Sequence, residues 1–307
     1  MPSFSRFSWL ALFIRDLHAA RGSARRPVIS LEFFPPKTPE GECALLEKTL
    51  PELLRLVPDY CSVTYGAAGS TRDKTLALAD RIQREHGLTA MAHLTCVNAT
   101  REQTREVIEQ ARRLGIKNLL ALRGDPPAGT AGFEHTPGGF QFSHELVTFL
   151  REQGGFSVGT AGFPEGHMMC KEGKHVDWQR LKAKIDCGAD FVLTQLFYDN
   201  RDFFEFRDYL SRLGVTVPVC PGVLPILGTA QIKRFSALSG ATLPPSLLTR
   251  LEQLGDDEKA VTEFGIEFAT SQCSELIRGG VPGLHFFTLN KAASTSRILR
   301  NLGLAPG

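Results

Sequence analysis

Eight short runs rich in β-branched, apolar and aromatic residues recur along this chain, at 29–34, 61–65, 90–96, 118–123, 157–163, 191–197, 217–224 and 284–289. Each has the length of a strand buried on both faces, with Gly, Pro, Asn or Asp close behind it. Between them lie segments of helical period, at 100–114, 145–153, 178–187 and 203–213. Thr100-Arg101-Glu102-Gln103 has the capping-box arrangement, and Gly115 stops the same helix. The connection before the eighth run is longer and predicts further helices at 229–238, 244–254 and 258–278. Strand and helix alternating eight times predicts a (β/α)8 barrel, the TIM-barrel architecture. An open doubly wound sheet is the alternative, but eight units with no topological break favour closure. No GxGxxG occurs to support a dinucleotide-binding sheet. Residues 28–307 read as one barrel domain, behind an N-terminal helix and basic loop at 1–27.

Composition narrows the class of partner. A net charge of +2 gives no electrostatic case for nucleic acid. The seven cysteines, at 43, 61, 96, 170, 187, 220 and 273, are scattered singly, which suggests reduced thiols in an intracellular, cytoplasmic protein without disulfides or a zinc site. No run approaches the roughly 18 apolar residues needed to span a bilayer. The first 26 residues hold five arginines and one acid, Asp16. They read either as a transit peptide or as an amphipathic helix at 7–20 that caps the bottom of the barrel.

In such a barrel the working groups sit at the C-terminal ends of the strands. Polar groups gather there: Glu32, Thr64, His93, Thr95, Arg123-Gly124-Asp125, Glu165 to His167, Thr194-Gln195 and Thr288 to Lys291. Glu32 lies in Val28-Ile29-Ser30-Leu31-Glu32-Phe33-Phe34, closed by Pro35-Pro36. Burial there would keep it protonated near neutral pH and suit it to general acid catalysis. The alternative is an ion pair with Arg123 or Lys291. Asp125 is fixed on a turn, where it binds a polar ring edge or caps the turn. His93, alone in an apolar strand, reads as a satisfied core residue more than as a catalyst. Gln195 is a neutral amide able to donate and accept, for which a ligand is a plausible partner. His167 could touch phosphate or a ring, and Phe34, Phe163, Phe197 and Phe287 could stack on a flat heterocycle or simply pack. No metal constellation and no nucleophile elbow is visible. One acid, amides, hydroxyls and aromatic surfaces remain, a set to which a redox cofactor could supply the chemistry.

At these same residues the chain resembles the methylenetetrahydrofolate reductase family. The matching stretches are Ser30 to Thr38, Val63 to Ala67, His93 to Cys96, Ala121 to Pro126, Gly162 to His167, Gly188 to Phe191 with Thr194 to Phe197, Pro221 to Pro225, and Gly283 to Asn290. They fall in order from about 28 to 303, one per strand. The resemblance implies an FAD-bearing barrel that reduces 5,10-methylenetetrahydrofolate to 5-methyltetrahydrofolate with NADH or NADPH, supplying methyl groups for methionine synthesis. It further implies ping-pong order over one flavin face, with Glu32 protonating N10 of the folate and reduced flavin delivering hydride to the methylene carbon. Asp125 would hold the pterin edge and tune the flavin, Gln195 would serve whichever ligand is stacked, and Thr64 would lie near the nicotinamide. Tyr65, Ala67, His93, Arg123, Gly124, Asp125, Phe142, Ser143, Phe163, His167, Asp177, Arg180 and Lys184 fall where the family holds FAD. Gln231, Phe287 and Lys291 fall where it holds folate. The resemblance also implies a homo-oligomer, dimer or tetramer.

Some positions depart from the family pattern. Phe163 and Phe287 stand where Tyr is frequent, so two hydroxyls are missing. Lys291 stands where Arg is common, without its planar fork. Met168-Met169-Cys170 replaces the usual Pro-Glu-Ala, one residue is inserted before Asp177, and Phe142-Ser143-His144 varies from Tyr-Ala. Eukaryotic members carry a C-terminal domain regulated by S-adenosylmethionine; this chain ends at Gly307, and no such inhibition is expected. Two rivals are a flavin barrel of the proline dehydrogenase kind, which would not need Glu32, and a silent folate- or flavin-binding scaffold.

Overall fold

A computed structural model describes residues 11–21, 26–65, 72–124 and 136–305. Among these, eight strands close into one barrel, each paired in parallel with the strands before and after it: β1 (Val28–Phe33), β2 (Tyr60–Val63), β3 (Thr89–Thr95), β4 (Asn118–Leu122), β5 (Ser157–Gly162), β6 (Phe191–Leu196), β7 (Val219–Val223) and β8 (Gly283–Phe287). Closure leaves no free edge, so every strand is covered on both faces and reads as an almost unbroken apolar run. The predicted (β/α)8 barrel is the observed fold.

Helices ring the barrel: α4 (Arg72–His86), α5 (Arg101–Arg113), α6 (Ser143–Gln153), α7 (Lys174–Asp186), α8 (Asn200–Arg212) and α12 (Ala293–Asn301), with α9 (Thr229–Ser239), α10 (Pro245–Leu254) and α11 (Glu258–Arg278) in the long seventh connection. Between β1 and β2, α2 (Pro39–Ala44) and α3 (Leu50–Leu54) are joined through a π-helical turn, Leu45–Thr49. The capping box at Thr100 and Gln103 is formed.

The bottom of the barrel receives α1 (Ile14–Arg21) and the residues before it. Polar side chains at the starts of β3, β4 and β5 take up main-chain groups that would otherwise be orphaned. Leu12 N donates to Thr89 Oγ1 at 3.2 Å, Ile14 N to Asn118 Oδ1 at 2.8 Å and Arg15 N to Ser157 Oγ at 3.2 Å. Ile14 is fully buried with Val28, Tyr60, Met91, Leu120 and Phe191. The described helix begins at Ile14, whereas the sequence predicts it over 7–20; residues 1–10 lie outside the described part.

Inward positions follow from register. Glu32 pairs with Ser62 and Phe287, and Ser30 with Tyr60 and His285. With period two, Ser30, Glu32, Ser62, His93, His285 and Phe287 share the barrel interior towards its upper end.

Candidate active site

Glu32 is the fifth residue of β1 and is 6% exposed. Three side chains converge on one of its oxygens. His285 Nε2 lies 3.2 Å from Oε2, Ser62 Oγ donates to it at 3.3 Å, and His93 Nε2 stands 3.4 Å away. His93 is close but not aligned as a donor, so its Nε2 remains a buried nitrogen without a hydrogen-bond partner. Behind His285, Nδ1 is 2.8 Å from Ser30 Oγ. A carboxylate partner fixes the proton on Nε2, so in the neutral ring Nδ1 accepts from the Ser30 hydroxyl. Oε1 makes no such contact among the described residues, and it is the oxygen left for a ligand.

Burial opposes ionisation of Glu32, but the two imidazoles, through the His285 hydrogen bond first, more than offset it and hold the carboxyl down at about 2. This overturns the expectation that burial keeps Glu32 protonated. The apolar neighbours in sequence are real, but partners from β3 and β8 outweigh them. Nor is the partner Arg123 or Lys291; the contacts come from histidines and a serine. His93, which the strand pattern alone favours as a core residue, sits beside the acid. His285 was not among the predicted site residues, although a histidine inside the apolar run Leu284-His285-Phe286-Phe287, at the same inward phase as Ser30 and Glu32, is a readable signal.

A second group lines the mouth at β3 to β5. Thr95 Oγ1, at the end of β3, is buried with no partner. Gly124 has φ +87, and a Cβ there would meet Val97 at 2.9 Å and Thr95 at 3.0 Å, so backbone alone fits. Lys184 Nζ donates to Ala161 O at 2.9 Å, and burial pulls the ammonium down to about 8 although Asp177 supports it. Asp177 accepts from His167 N at 3.1 Å, and burial raises its carboxyl. The His167 ring stands edge-on to Phe163, centroids 4.6 Å apart, and its Nδ1 accepts from Met169 N at 3.1 Å. Arg180 is turned to the surface, paired with Glu172 at 2.6 Å. Phe142, half exposed just before Ser143 opens α6, stacks on His144 at 5.6 Å. Thr64 follows β2, buried, its carbonyl accepting from Thr75 Oγ1 at 2.9 Å, and Tyr65 comes next. Ala67 and Asp125 lie outside the described residues.

On the β6 to β8 side, Gln195 is the half-buried position of an otherwise buried strand, its Oε1 accepting from Leu196 N at 2.9 Å. Phe287 packs edge-on against His285 at 5.2 Å. Phe287 and Lys291 line a small hollow with Pro225, Leu227 and Thr288. Gln231 is committed to backbone: Oε1 accepts from Leu227 N at 2.8 Å and Nε2 donates to Pro225 O at 3.3 Å. Its amide shapes the β7–α9 loop.

The orphaned hydroxyl of Thr95, the unaligned nitrogen of His93, the glycine cradle at 124 and the Lys184 ammonium fit a large, partly anionic cofactor with a flat ring. The acid and its imidazoles stand at the C-terminal mouth of a closed barrel, where barrel enzymes carry their working groups.

A family model described as methylenetetrahydrofolate reductase matches residues 17–303. A methylenetetrahydrofolate reductase (NADH) 1 of Arabidopsis thaliana is 39% identical over 285 residues, covering 90% of this chain and 48% of that protein. A 5,10-methylenetetrahydrofolate reductase of Escherichia coli is 35% identical, covering 91% of this chain and 92% of the relative. The chain therefore belongs to the methylenetetrahydrofolate reductase family, and it spans about half the length of the plant relatives. Among solved structures, an uncharacterized Clostridium thermocellum protein that binds two copies of 5-methyl-5,6,7,8-tetrahydrofolic acid superposes with a TM-score of 0.63 at 16% identity, covering 95% of this chain and 97% of that one, a likeness of fold. No helix among the described residues is long and apolar enough to cross a membrane.

Proposed function

We propose that this barrel reduces 5,10-methylenetetrahydrofolate to 5-methyltetrahydrofolate, drawing electrons from NADH or NADPH through FAD, with Glu32 as the proton donor. The observation that carries the reading is the Glu32 cluster: Oε2 is gripped by His285, Ser62 and His93, and Oε1 is left open. Family membership supports the substrate, and the plant relatives' names make NADH the first donor to assay.

Bound FAD would supply the redox chemistry, accepting two electrons from the nicotinamide and returning them as hydride. His93, Thr95, Gly124, Lys184 and the Phe142 ring are the residues that would hold it. The protein's own step is a proton transfer. In the free protein Glu32 is a carboxylate, so the proton it gives must come from the imidazoles. A ligand covering the mouth excludes water and weakens the carboxylate's stabilisation, which favours passing a proton to Glu32 from His285 or His93 in its doubly protonated form, leaving a neutral ring behind. Delivery to N10 opens the five-membered ring and prepares the methylene carbon for reduction. Ser30 steadies His285 during the exchange.

The test is Glu32→Gln, assayed by half-reaction. Folate-dependent reoxidation should fall about a thousandfold, since the imidazoles then have no carboxyl through which to hand the proton on, while reduction by NADH stays within a few-fold. Equal loss of both half-reactions would sink the assignment. A colourless protein that takes up no FAD would favour the scaffold rival, and a protein bleached by proline would favour the proline dehydrogenase rival.

A further inference from the structure

β6 and β7 do not run in simple register. Leu193 pairs with Cys220 and Leu196 with Gly222, so Thr194 and Gln195 together face Pro221 alone. That is a β-bulge, one extra residue on β6. Proline in the middle of a barrel strand otherwise breaks the ladder, because it has no N–H and a closed barrel has no edge on which to hide it. Opposite a bulge it forfeits nothing.

The bulge is closed by a side chain. Thr194, 2% exposed, accepts from Gly222 N at 2.9 Å, and its hydroxyl proton goes to Gln195 O at 2.9 Å. One hydroxyl thus satisfies an amide that has lost its ladder partner and pins the carbonyl of the next residue. Gly222 is equally constrained: a Cβ there would lie 2.3 Å from Thr194 O and 2.7 Å from the Phe287 ring. The bulge carbonyl and the aromatic ring lean on the same bare backbone.

The consequence falls on Gln195. Its Oε1 accepts from Leu196 N at 2.9 Å, which leaves both N–H groups of the amide and one lone pair of its oxygen for a ligand. We propose that Thr194 is a positioning residue whose hydroxyl locks the bulge and so fixes the backbone from which the Gln195 amide meets a ligand. The two free N–H groups make an acceptor on the ligand, a ring nitrogen or a carbonyl, the first partner for that amide. This rests on the reductase reading for the ligand's identity, but the lock itself does not.

The experiment compares Thr194→Val, which keeps the shape and removes the hydroxyl, with Thr194→Ser, which keeps the hydroxyl. Amide hydrogen exchange at Gly222 is read against Leu193 and Cys220 on the same strands, so that a uniform loss of stability cancels. Gly222 should exchange at least tenfold faster in Thr194→Val and return to within threefold of wild type in Thr194→Ser. In steady state Thr194→Val should raise KM for methylenetetrahydrofolate about tenfold with kcat within threefold, and Thr194→Ser should restore it. Unchanged relative exchange at Gly222 in Thr194→Val overturns the lock. Faster exchange with an unchanged KM overturns the link to Gln195. If the wild type reduces no folate, the function assignment falls, while the exchange measurement still decides the lock.

Discussion

Replacing His285 with phenylalanine tests the electrostatics on which the proton transfer depends. The variant keeps an aromatic ring of similar size and removes the nitrogen that lies 3.2 Å from Glu32 Oε2. In the wild type the carboxyl falls from 4.5 to about 2 although burial pushes the other way. That drop corresponds to about 3 kcal/mol in favour of the folded carboxylate. The contribution is fully present above pH 4.5 and is lost as pH falls towards 2. The His285 hydrogen bond is the largest single contribution that opposes burial, so without it His93 is the one imidazole left to hold the carboxyl down. The Glu32 carboxyl should then rise by at least about one pH unit, and acid unfolding should begin correspondingly earlier. Carboxyl-labelled glutamate followed by carbon NMR reads the titration, with Glu32→Gln identifying the signal. A carboxyl that titrates at the same pH with and without His285 would refute the reasoning.

Two further outcomes follow from the frame around the site. His18, buried at the barrel bottom with Nε2 3.7 Å from Cys220 Sγ and Nδ1 unpartnered, is pulled by burial from 6.5 down to about 4. Its neutral form is the one that fits, so stability is complete above pH 6.5 and falls by about 3 kcal/mol as pH drops towards 4. Calorimetry should show His18→Leu losing this slope, and parallel profiles for the two proteins would contradict it. Gly124→Ala forces a side chain into a left-handed position against Thr95 and Val97, and should cost about 2–4 kcal/mol and lower flavin content, measured by thermal denaturation and absorbance. A stable variant with full flavin would show that the cradle tolerates a Cβ.

The sequence carried the barrel because strand and helix periods are local, and eight repeats of one local pattern leave few ways to pack. Where strand ends differ, a local cause is visible. The seventh run, read over 217–224, narrows to Val219–Val223, since Pro218 cannot donate to a ladder. The eighth, read to 289, stops at Phe287, because Leu289 and Asn290 turn into the left-handed region at φ 52 and 57. The π-helical turn at Leu45–Thr49 had no such mark.

The site divides along the same line. That a carboxyl sits at the mouth of strand one could be read from one segment; its ionisation could not, because the deciding nitrogen lies 253 residues away in the chain. Pro221 marks the boundary between the two cases. A proline inside a strand of an edgeless sheet breaks a local rule, and the break is legible in one dimension. Its resolution, two residues of β6 facing one of β7 with Thr194 closing the gap, exists only once the strands are side by side. Prolines, glycines and charged groups that contradict the strand they occupy are therefore the positions from which a site in such a barrel is best sought, and their partners are to be looked for on the two neighbouring strands.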